Sequence, residues 1–446
     1  MKKTRKLIGI ICLLAVLMMV FSACQPGQSV QSTGSTQGAK DTPTEAPKKV
    51  SLRFSWWGGD ARHQATLEAL QLYMDRNSHV TIEAEYGGYG DYYQKMVTQL
   101  AGESAPDIMQ VDSIWIADLY KQGEMFVDLY TLEDKMDMSG FDKAFLKNYC
   151  EVDGKLQGLP KSIATATFIY NVEFFKKFNI DPETKLDWDV LLEIGSRVHQ
   201  EDPECYLIQP HFGMMRMLVM SYMKQKSGNN LANDDYTLGY DKELIAEAFG
   251  YFRTLLDKGV VVPFEDTGTI AEADEHPIWQ NGRSGIIFNF DSVIPKIAGN
   301  STFELGVMLP PIMPGCEDTG ITVKPGVLTS INKKTEYLDE SVKFMDFYNN
   351  DKDALIVLGD TRGVPPTQAA MDVLVGADKL NPLLAKAVAA GVENAGSPVN
   401  DITNNAEIDK LTLDLFTEMA FNVKTPEQAA EELVNKLEAK LEELKN

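Results

Sequence analysis

From Val50 onward, short apolar runs alternate with amphipathic stretches. The predicted strands span residues 50–57, 79–86, 107–111, 284–290, 303–310 and 324–331. The predicted helices span residues 61–77, 91–101, 114–121, 187–199, 241–258, 338–349 and 406–444, with an interruption near Pro426. Strands that alternate with helices predict an α/β fold with a largely parallel sheet.

The folded part of the chain is too long for one hydrophobic core. It runs to about 400 residues, beyond the length at which single cores stop growing. No segment rich in Pro, Gly or Ser divides it after Val50. We therefore expect two lobes that are built from interleaved segments, since a single linker cannot separate them.

The first 23 residues have the pattern of a secretory signal peptide. Four basic residues lie within Met1–Lys6, and the apolar run 7–21 that follows is shorter than the roughly 20 residues that span a bilayer. The run ends in Phe21-Ser22-Ala23-Cys24, which resembles the lipobox of bacterial lipoproteins. This motif predicts cleavage before Cys24 and lipidation of its thiol. Secretion with an incidental cysteine is the alternative.

Residues 24–49 are predicted to form a flexible tether. The segment consists largely of Gln, Ser, Thr, Gly and Pro, and Val30 is its only large apolar residue. Such a composition does not bury enough apolar surface to fold.

Charge and cysteine content exclude several classes of partner. The formal net charge is −23, and it becomes −27 when the four basic residues of the first six are left out. This charge repels nucleic acid and anionic lipid headgroups. Cys150, Cys205 and Cys316 are widely spaced, and so are the histidines. We therefore expect no disulfide framework, no metal site and no cofactor.

Aromatic, acidic and glycine residues follow the predicted strands. The turns after Trp57, Tyr86 and Val111 read 58–60 Gly-Gly-Asp, 87–92 Gly-Gly-Tyr-Gly-Asp-Tyr and 112–115 Asp-Ser-Ile-Trp. In open α/β sheets, ligands bind outside the carboxyl ends of the strands. A sugar needs an aromatic face for its C–H groups and polar groups for its hydroxyls. The three turns therefore favour a carbohydrate site.

Several motifs, in order along the chain, resemble those of the carbohydrate-binding proteins of ABC importers, an extracellular solute-binding family that includes the maltose-binding proteins. They lie at 54–59 (FSWWGG), 105–112 (APDIMQVD), 154–160 (GKLQGLP), 168–171 (FIYN), 186–192 (LDWDVLL), 279–285 (WQNGRSG) and 362–365 (RGVP). Within the family, the chain is most similar to binders of plant-cell-wall oligosaccharides, including pectin-derived ones.

The resemblance implies a periplasmic-binding-protein-like fold, with two α/β lobes joined by three crossing strands and the ligand between them. The first lobe would comprise residues 50–163 and 293–333, and the second 164–292 and 334–446. The run 159–171 would be the first crossing, with Ala164 and Thr165 in its middle facing the cleft.

The implied function is that of a monomeric, lipid-anchored, extracytoplasmic protein that captures a sugar and delivers it to the permease subunits of an ABC importer, without being an enzyme. A secreted glycoside hydrolase is one alternative, because its chemistry needs only two suitably spaced carboxylates. A binder of another solute on the same fold is the second.

The resemblance and the strand ends together indicate the candidate ligand contacts. The aromatic candidates are Trp57, Tyr89, Trp115 and Phe290; the polar ones are Asp60, Asp112, Thr165 and Asn289; the cationic ones are Arg62, His63, Lys324 and Arg362. Each has a structural alternative: helix capping for Asp112, core packing for Trp115, and solvation for the cations. Trp56 and Trp57 must point to opposite faces of their strand.

The cationic candidates would suit a sugar that carries a carboxylate, a uronate. Its carboxylate would need a guanidinium or ammonium partner, and Arg362 is the first choice because Gly363, Val364 and Pro365 hold its backbone.

Overall fold

The computed structural model describes residues 48–267 and 272–445. The predicted signal peptide, the lipidation site Cys24 and all but the last two residues of the predicted tether lie outside the described residues. No helix in the described part of the chain is long and apolar enough to cross a membrane.

Strands and helices alternate through most of the described chain. The strands are β1 (Val50–Trp57), β2 (Val80–Gly87), β3 (Ile108–Val111), β4 (Glu151–Val152), β5 (Lys155–Leu156), β6 (Leu159–Asn171), β7 (Tyr206–Gln209), β8 (Ser284–Phe290), β9 (Leu305–Met308) and β10 (Val323–Ile331). The helices are α1 (Asp60–Arg76), α2 (Tyr89–Ala101), α3 (Ile116–Lys121), α4 (Lys143–Tyr149), α5 (Val172–Lys177), α6 (Trp188–Glu201), α7 (Phe212–Ser227), α8 (Lys242–Asp257), α9 (Phe264–Thr267), α10 (Pro277–Gln280), α11 (Ile294–Asn300), α12 (Leu338–Asn350), α13 (Lys352–Leu358), α14 (Gln368–Gly376), α15 (Pro382–Glu393), α16 (Ala406–Ala420) and α17 (Pro426–Lys445).

Eight of the described strands form one sheet, in the order β2-β1-β3-β10-β6-β8-β7, with β9 paired to β6. β1 pairs in parallel with β2 and β3, and β7 pairs in parallel with β8. β10 runs antiparallel to β3 and β6, and β6 runs antiparallel to β8 and β9. The α/β class is confirmed, but a largely parallel sheet is wrong, because the long strands that link the two halves run against their neighbours.

The first half of the sheet separates two hydrophobic clusters. Trp56 packs with Leu52 and Phe54 against α1 and α12, and Trp57 packs with residues of β3 and α2 on the other face. The two tryptophans therefore point to opposite faces, as adjacent strand residues must. Trp56 is fully buried.

The second half of the sheet is covered by other helices. α6, α7, α8, α16 and α17 contribute to one cluster with Phe168 and Phe288, and α11 and α15 pack on the opposite face with Ile169 and Ile287. In α17 the buried residues Ala430, Leu433, Leu437 and Leu441 recur every three or four positions. One face of this helix is therefore apolar, and it packs against α8 and α16.

The hydrophobic clusters group two segments differently from the expected lobes. Ile297 and Val307 belong to the cluster with Ile287, so this part of 293–333 packs with the second half. Phe344 and Tyr348 of α12 belong to the cluster with Trp56, so this part of 334–446 packs with the first half. Helix α3 also begins later than expected, because 113–115 forms a 3-10 turn.

Candidate binding site

Three strand ends meet where the two halves of the sheet join. Nζ of Lys324, on β10, lies 3.5 Å from Oδ1 of Asp112, which directly follows β3. The same Nζ lies 5.2 Å from the ring centre of Phe290, the last residue of β8. We call Asp112, Phe290 and Lys324 the junction. It brings a carboxylate, an ammonium group and an aromatic ring from three strands to one place.

The Asp112 carboxylate has three partners. Oδ1 accepts a hydrogen bond from the backbone N–H of Ile114 at 3.3 Å, which is the capping role weighed as an alternative. Oδ2 accepts from the Tyr89 hydroxyl at 3.3 Å. Burial, reinforced by this carboxylate, raises the pKa of Tyr89, so its hydroxyl keeps its proton. Capping and ligand contact are compatible here, because a carboxylate offers about four lone-pair directions.

Aromatic rings form a cluster beside Asp112. We call Trp57, Tyr89, Tyr92, Tyr93 and Trp115 the aromatic cluster. Trp115 stacks on Tyr89, with the ring centres 5.6 Å apart and the planes 22° apart. The ring centre of Trp57 lies 5.3 Å from that of Trp115. Tyr89 is 50% exposed, and Trp115 is partly exposed. The cluster therefore presents aromatic surface to the solvent next to a buried carboxylate.

Two members of the aromatic cluster were not among the candidate contacts, although Tyr92 lies in one of the three turns that favour a carbohydrate site. The Tyr93 ring lies 4.8 Å from Trp115, and the Tyr92 ring lies 5.1 Å from Trp57. Their spacing from Tyr89, at i+3 and i+4 on α2, places all three on one helix face. That spacing is the signal that could have identified them.

Asn289 and Phe290 lie at the end of β8, as expected. Oδ1 of Asn289 accepts a hydrogen bond from the backbone N–H of Phe290 at 2.8 Å. Both residues are partly exposed, whereas the first five residues of β8 are buried. The strand therefore becomes accessible at the end that carries the junction.

Thr165 does not join the junction. In the register of β6 and β10, Lys324 lies opposite Ala164, so Thr165 points to the other face of the crossing strands. It is fully buried, and its hydroxyl donates to the carbonyl of Ala387 at 3.3 Å. The expectation that Thr165 faces the cleft is therefore wrong, because it lies under α15.

Asp291 is a buried carboxylate just behind the junction. Oδ1 accepts the backbone N–H of Thr165 at 2.6 Å, and Oδ2 has no hydrogen-bond partner in the described part of the chain. Burial raises the pKa of Asp291 to about 7 against the opposing effect of its backbone donors. Sequence reasoning did not single out this residue.

Arg62 and Arg362 are both held within the first half. Arg62 donates from Nε to the carbonyl of Thr361 at 3.0 Å and from Nη1 to that of Trp57 at 3.3 Å. Arg362 is only 4% exposed; it donates to Oε1 of Gln110 at 3.1 Å and to Oγ1 of Thr66 at 2.8 Å. Among the predicted cations, Lys324 is the one that the structure brings to the junction.

The arrangement provides a face for stacking, a carboxylate acceptor and an ammonium donor. These are the groups that hold a polyhydroxylated ring. Among residues 48–267 and 272–445, no group of three His, Cys, Asp or Glu side chains could hold a metal ion.

Comparisons with known proteins give one matching family model and several similar solved structures. The family model described as a bacterial extracellular solute-binding protein matches residues 68–382, more than half of the chain. A periplasmic solute-binding protein of Pectobacterium atrosepticum is 28% identical, with a TM-score of 0.82, and the match covers 89% of this chain and all of that one. A periplasmic oligogalacturonide-binding protein of Yersinia enterocolitica, solved with saturated digalacturonic acid, is 27% identical with a TM-score of 0.80 over the same shares.

A curated relative matches over a shorter stretch. The arabinooligosaccharide-binding protein of Bacillus subtilis is 27% identical over 196 residues, which are 43% of this chain and 42% of that protein. The match thus spans less than half of the relative's length. The solved structures cover most of this chain, and they confirm the predicted periplasmic-binding-protein-like fold.

Proposed function

Because the chain belongs to the bacterial extracellular solute-binding protein family, we propose that it captures a carbohydrate outside the cytoplasm and delivers it to an ABC importer. The observation that carries this proposal is the junction beside the aromatic cluster. Exposed ring faces of Tyr89 and Trp115 lie next to the Asp112 carboxylate and the Lys324 ammonium group. A sugar ring stacked on the aromatic cluster would exchange hydrogen bonds with both charged groups.

The two halves of the sheet supply opposite walls of the proposed site. Asp112 and the aromatic cluster come from the first half, and Asn289 and Phe290 come from the second. Farther out, Ala117 and Lys121 of α3 face Ile402 and Asn405 across a pocket of about 40 Å³. Contacts from both halves are what a ligand enclosed between two lobes requires.

An oligosaccharide is the proposed ligand class. The similar proteins bind, by name, an arabinooligosaccharide or an oligogalacturonide, so both neutral and acidic chains occur among them. We favour a neutral chain for this protein. Lys324 is already paired with Asp112, Arg362 is buried, and the net charge of the whole chain opposes an anion.

Membrane attachment and delivery complete the proposal. Lipidation of Cys24 would hold the protein at the outer face of the membrane, and residues 25–49 would let the folded part reach the permease subunits. The folded part would work as a monomer.

Ligand screening tests the proposal directly. Thermal denaturation is measured with arabino-oligosaccharides, oligogalacturonides and linear polyamines at equal concentration, because a ligand that binds the folded state raises its melting temperature. We expect a rise with an oligosaccharide and none with a polyamine. A rise with polyamines alone would contradict the carbohydrate assignment. New reducing ends after incubation with the bound sugar would indicate a glycoside hydrolase.

A further inference from the structure

A second exposed aromatic surface lies at the carboxyl end of β2. Tyr86 is 48% exposed, although it stacks on the buried Trp56 with ring centres 5.0 Å apart and planes 25° apart. The His63 ring of α1 lies 4.5 Å from the Tyr86 ring. Neither Tyr86 nor His63 belongs to the aromatic cluster or the junction.

The neutral His63 ring offers a hydrogen-bond donor beside this surface. Nε1–H of Trp56 donates to Nδ1 of His63 at 3.1 Å, so Nδ1 is an acceptor and the ring proton is on Nε2. Burial lowers the pKa of His63, and Arg62 and Arg362 lower it further against the opposing carboxylate of Asp60. Asp60 is exposed and lies three residues before His63 in α1, so the two side chains share one face of the first helical turn, where the carboxylate offers an acceptor.

The two residues between the aromatic surfaces, Gly87 and Gly88, have no side chains. Gly87 and Gly88 separate Tyr86 from Tyr89, and a Cβ added to either glycine would meet no atom within 4 Å. Neither glycine has a φ in the left-handed region, and Gly88 has φ −73° and ψ 166°. Packing and backbone conformation therefore do not require glycine at these positions, and no side chain stands between Tyr86 and Tyr89 along the chain.

From these observations we infer that Tyr86, His63 and Asp60 form an additional sugar subsite, which binds the outer units of an oligosaccharide whose inner units lie on the aromatic cluster. The inference rests on the proposed carbohydrate function and deepens it, because it makes the ligand an oligosaccharide that extends beyond the junction. Tyr86 supplies the stacking face, Nε2–H of His63 donates, and the Asp60 carboxylate accepts. Two small glycines connect the new subsite to Tyr89.

Oligosaccharides of increasing chain length test the proposed subsite. Calorimetry is performed on wild type and Tyr86→Ala with arabino-oligosaccharides of two to six units, and with the matching oligogalacturonides as the acidic series. One lost stacking contact lowers affinity about threefold to tenfold. We expect this loss for the longer chains and an unchanged affinity for the dimer. Tyr86→Phe, which keeps the ring, should bind every length as wild type does.

A second variant guards against misfolding of Tyr86→Ala. Gly87→Val should place a side chain between Tyr86 and Tyr89 without steric conflict, and it should also weaken only the longer chains. Gly376→Val, which places the same side chain in open space at the end of α14, is the matched control.

The outcomes separate the two proposals. An equal effect at every length, or no effect of Tyr86→Ala and Gly87→Val at any length, would overturn the subsite while leaving the proposed function in place. Failure of wild type to bind any chain in either series would overturn both.

Discussion

Lys324 and Asp112 form an ion pair across two antiparallel strands, with Nζ 3.5 Å from Oδ1. Both side chains are largely buried. The same carboxylate accepts from Tyr89 and from the backbone of Ile114, so one residue links the crossing strand, the aromatic cluster and the turn before α3. The pair orients a donor and an acceptor before any ligand arrives, which lowers the ordering cost of binding.

We predict that Lys324→Met weakens binding of a neutral oligosaccharide by about tenfold to a hundredfold, since a hydrogen bond to a charged group contributes about 1.5 to 3 kcal/mol. The affinity is measured by calorimetry. Lys95→Met is the matched control, because it removes a lysine from an exposed ion pair with Glu85. A loss confined to acidic oligosaccharides would contradict the neutral ligand and would favour a uronate partner for Lys324.

Arg362 should contribute to stability more than to ligand choice. Arg362→Ala leaves a cavity and deprives Gln110 and Thr66 of their donor, so the free energy of unfolding should fall by about 2 to 4 kcal/mol. Arg362→Met fills more of the space and should cost less. Denaturant unfolding measures both variants. A selective loss of acidic ligands in a stable Arg362→Ala would restore its expected role as a carboxylate partner.

Asp291 should make stability fall as pH rises. Its pKa is about 7 in the folded protein against 3.8 as the ordinary value, so the native state holds a proton that the unfolded state has released between these pH values. Stability from this group is therefore present at low pH and decreases through the window, by at most about 1.4 kcal/mol per pH unit.

The test compares Asp291→Asn with wild type by denaturant unfolding from pH 4 to pH 8. Asp291→Asn should gain stability relative to wild type as pH rises. Asp414→Asn, which makes the same change at an exposed carboxylate, is the control. A difference that does not change with pH would show that Asp291 does not titrate in this range.

Cys24 is predicted to carry lipid. In a host that processes lipoproteins, the full chain should fractionate with membranes, and Cys24→Ala should appear in the soluble extracytoplasmic fraction, because the Phe21 to Cys24 motif directs lipidation. Cys316→Ala is the matched control for loss of a cysteine. Unchanged fractionation of Cys24→Ala would exclude the anchor.

Much of the fold was predictable because the pattern is local. The periodicity of 241–258 and the alternation from Val50 to Lys121 identified strands and helices that the structure contains. Strand direction was not predictable from the same pattern. The buried runs of β6 and β10 read alike in either orientation, and only their pairing reveals that they are antiparallel.

The placement of the candidate residues was predictable where it depended on strand ends. Asp112 and Trp115 follow β3 directly, and the position of Phe290 at the end of β8 is equally local. The orientation of Thr165 was not predictable because the sequence does not reveal which face of a crossing strand is covered. In the structure, α15 covers the face that carries Thr165. The burial of Arg362 was not predictable because its partners Gln110 and Thr66 lie 252 and 296 residues away in the sequence.

The most direct test of the central claim is calorimetry of wild type and Trp115→Ala with an oligosaccharide that raises the melting temperature. Wild type should bind one molecule per chain. Trp115→Ala should bind about tenfold more weakly, because the sugar loses its stacking face. Its melting temperature without ligand should fall as well, since Trp115 also packs against its neighbours in the aromatic cluster, so binding is compared at a temperature where both proteins are folded. Phe421→Ala, which removes a partly exposed ring from outside the site, should bind as wild type does. Unchanged affinity of Trp115→Ala, or no binding of any carbohydrate by wild type, would contradict the account.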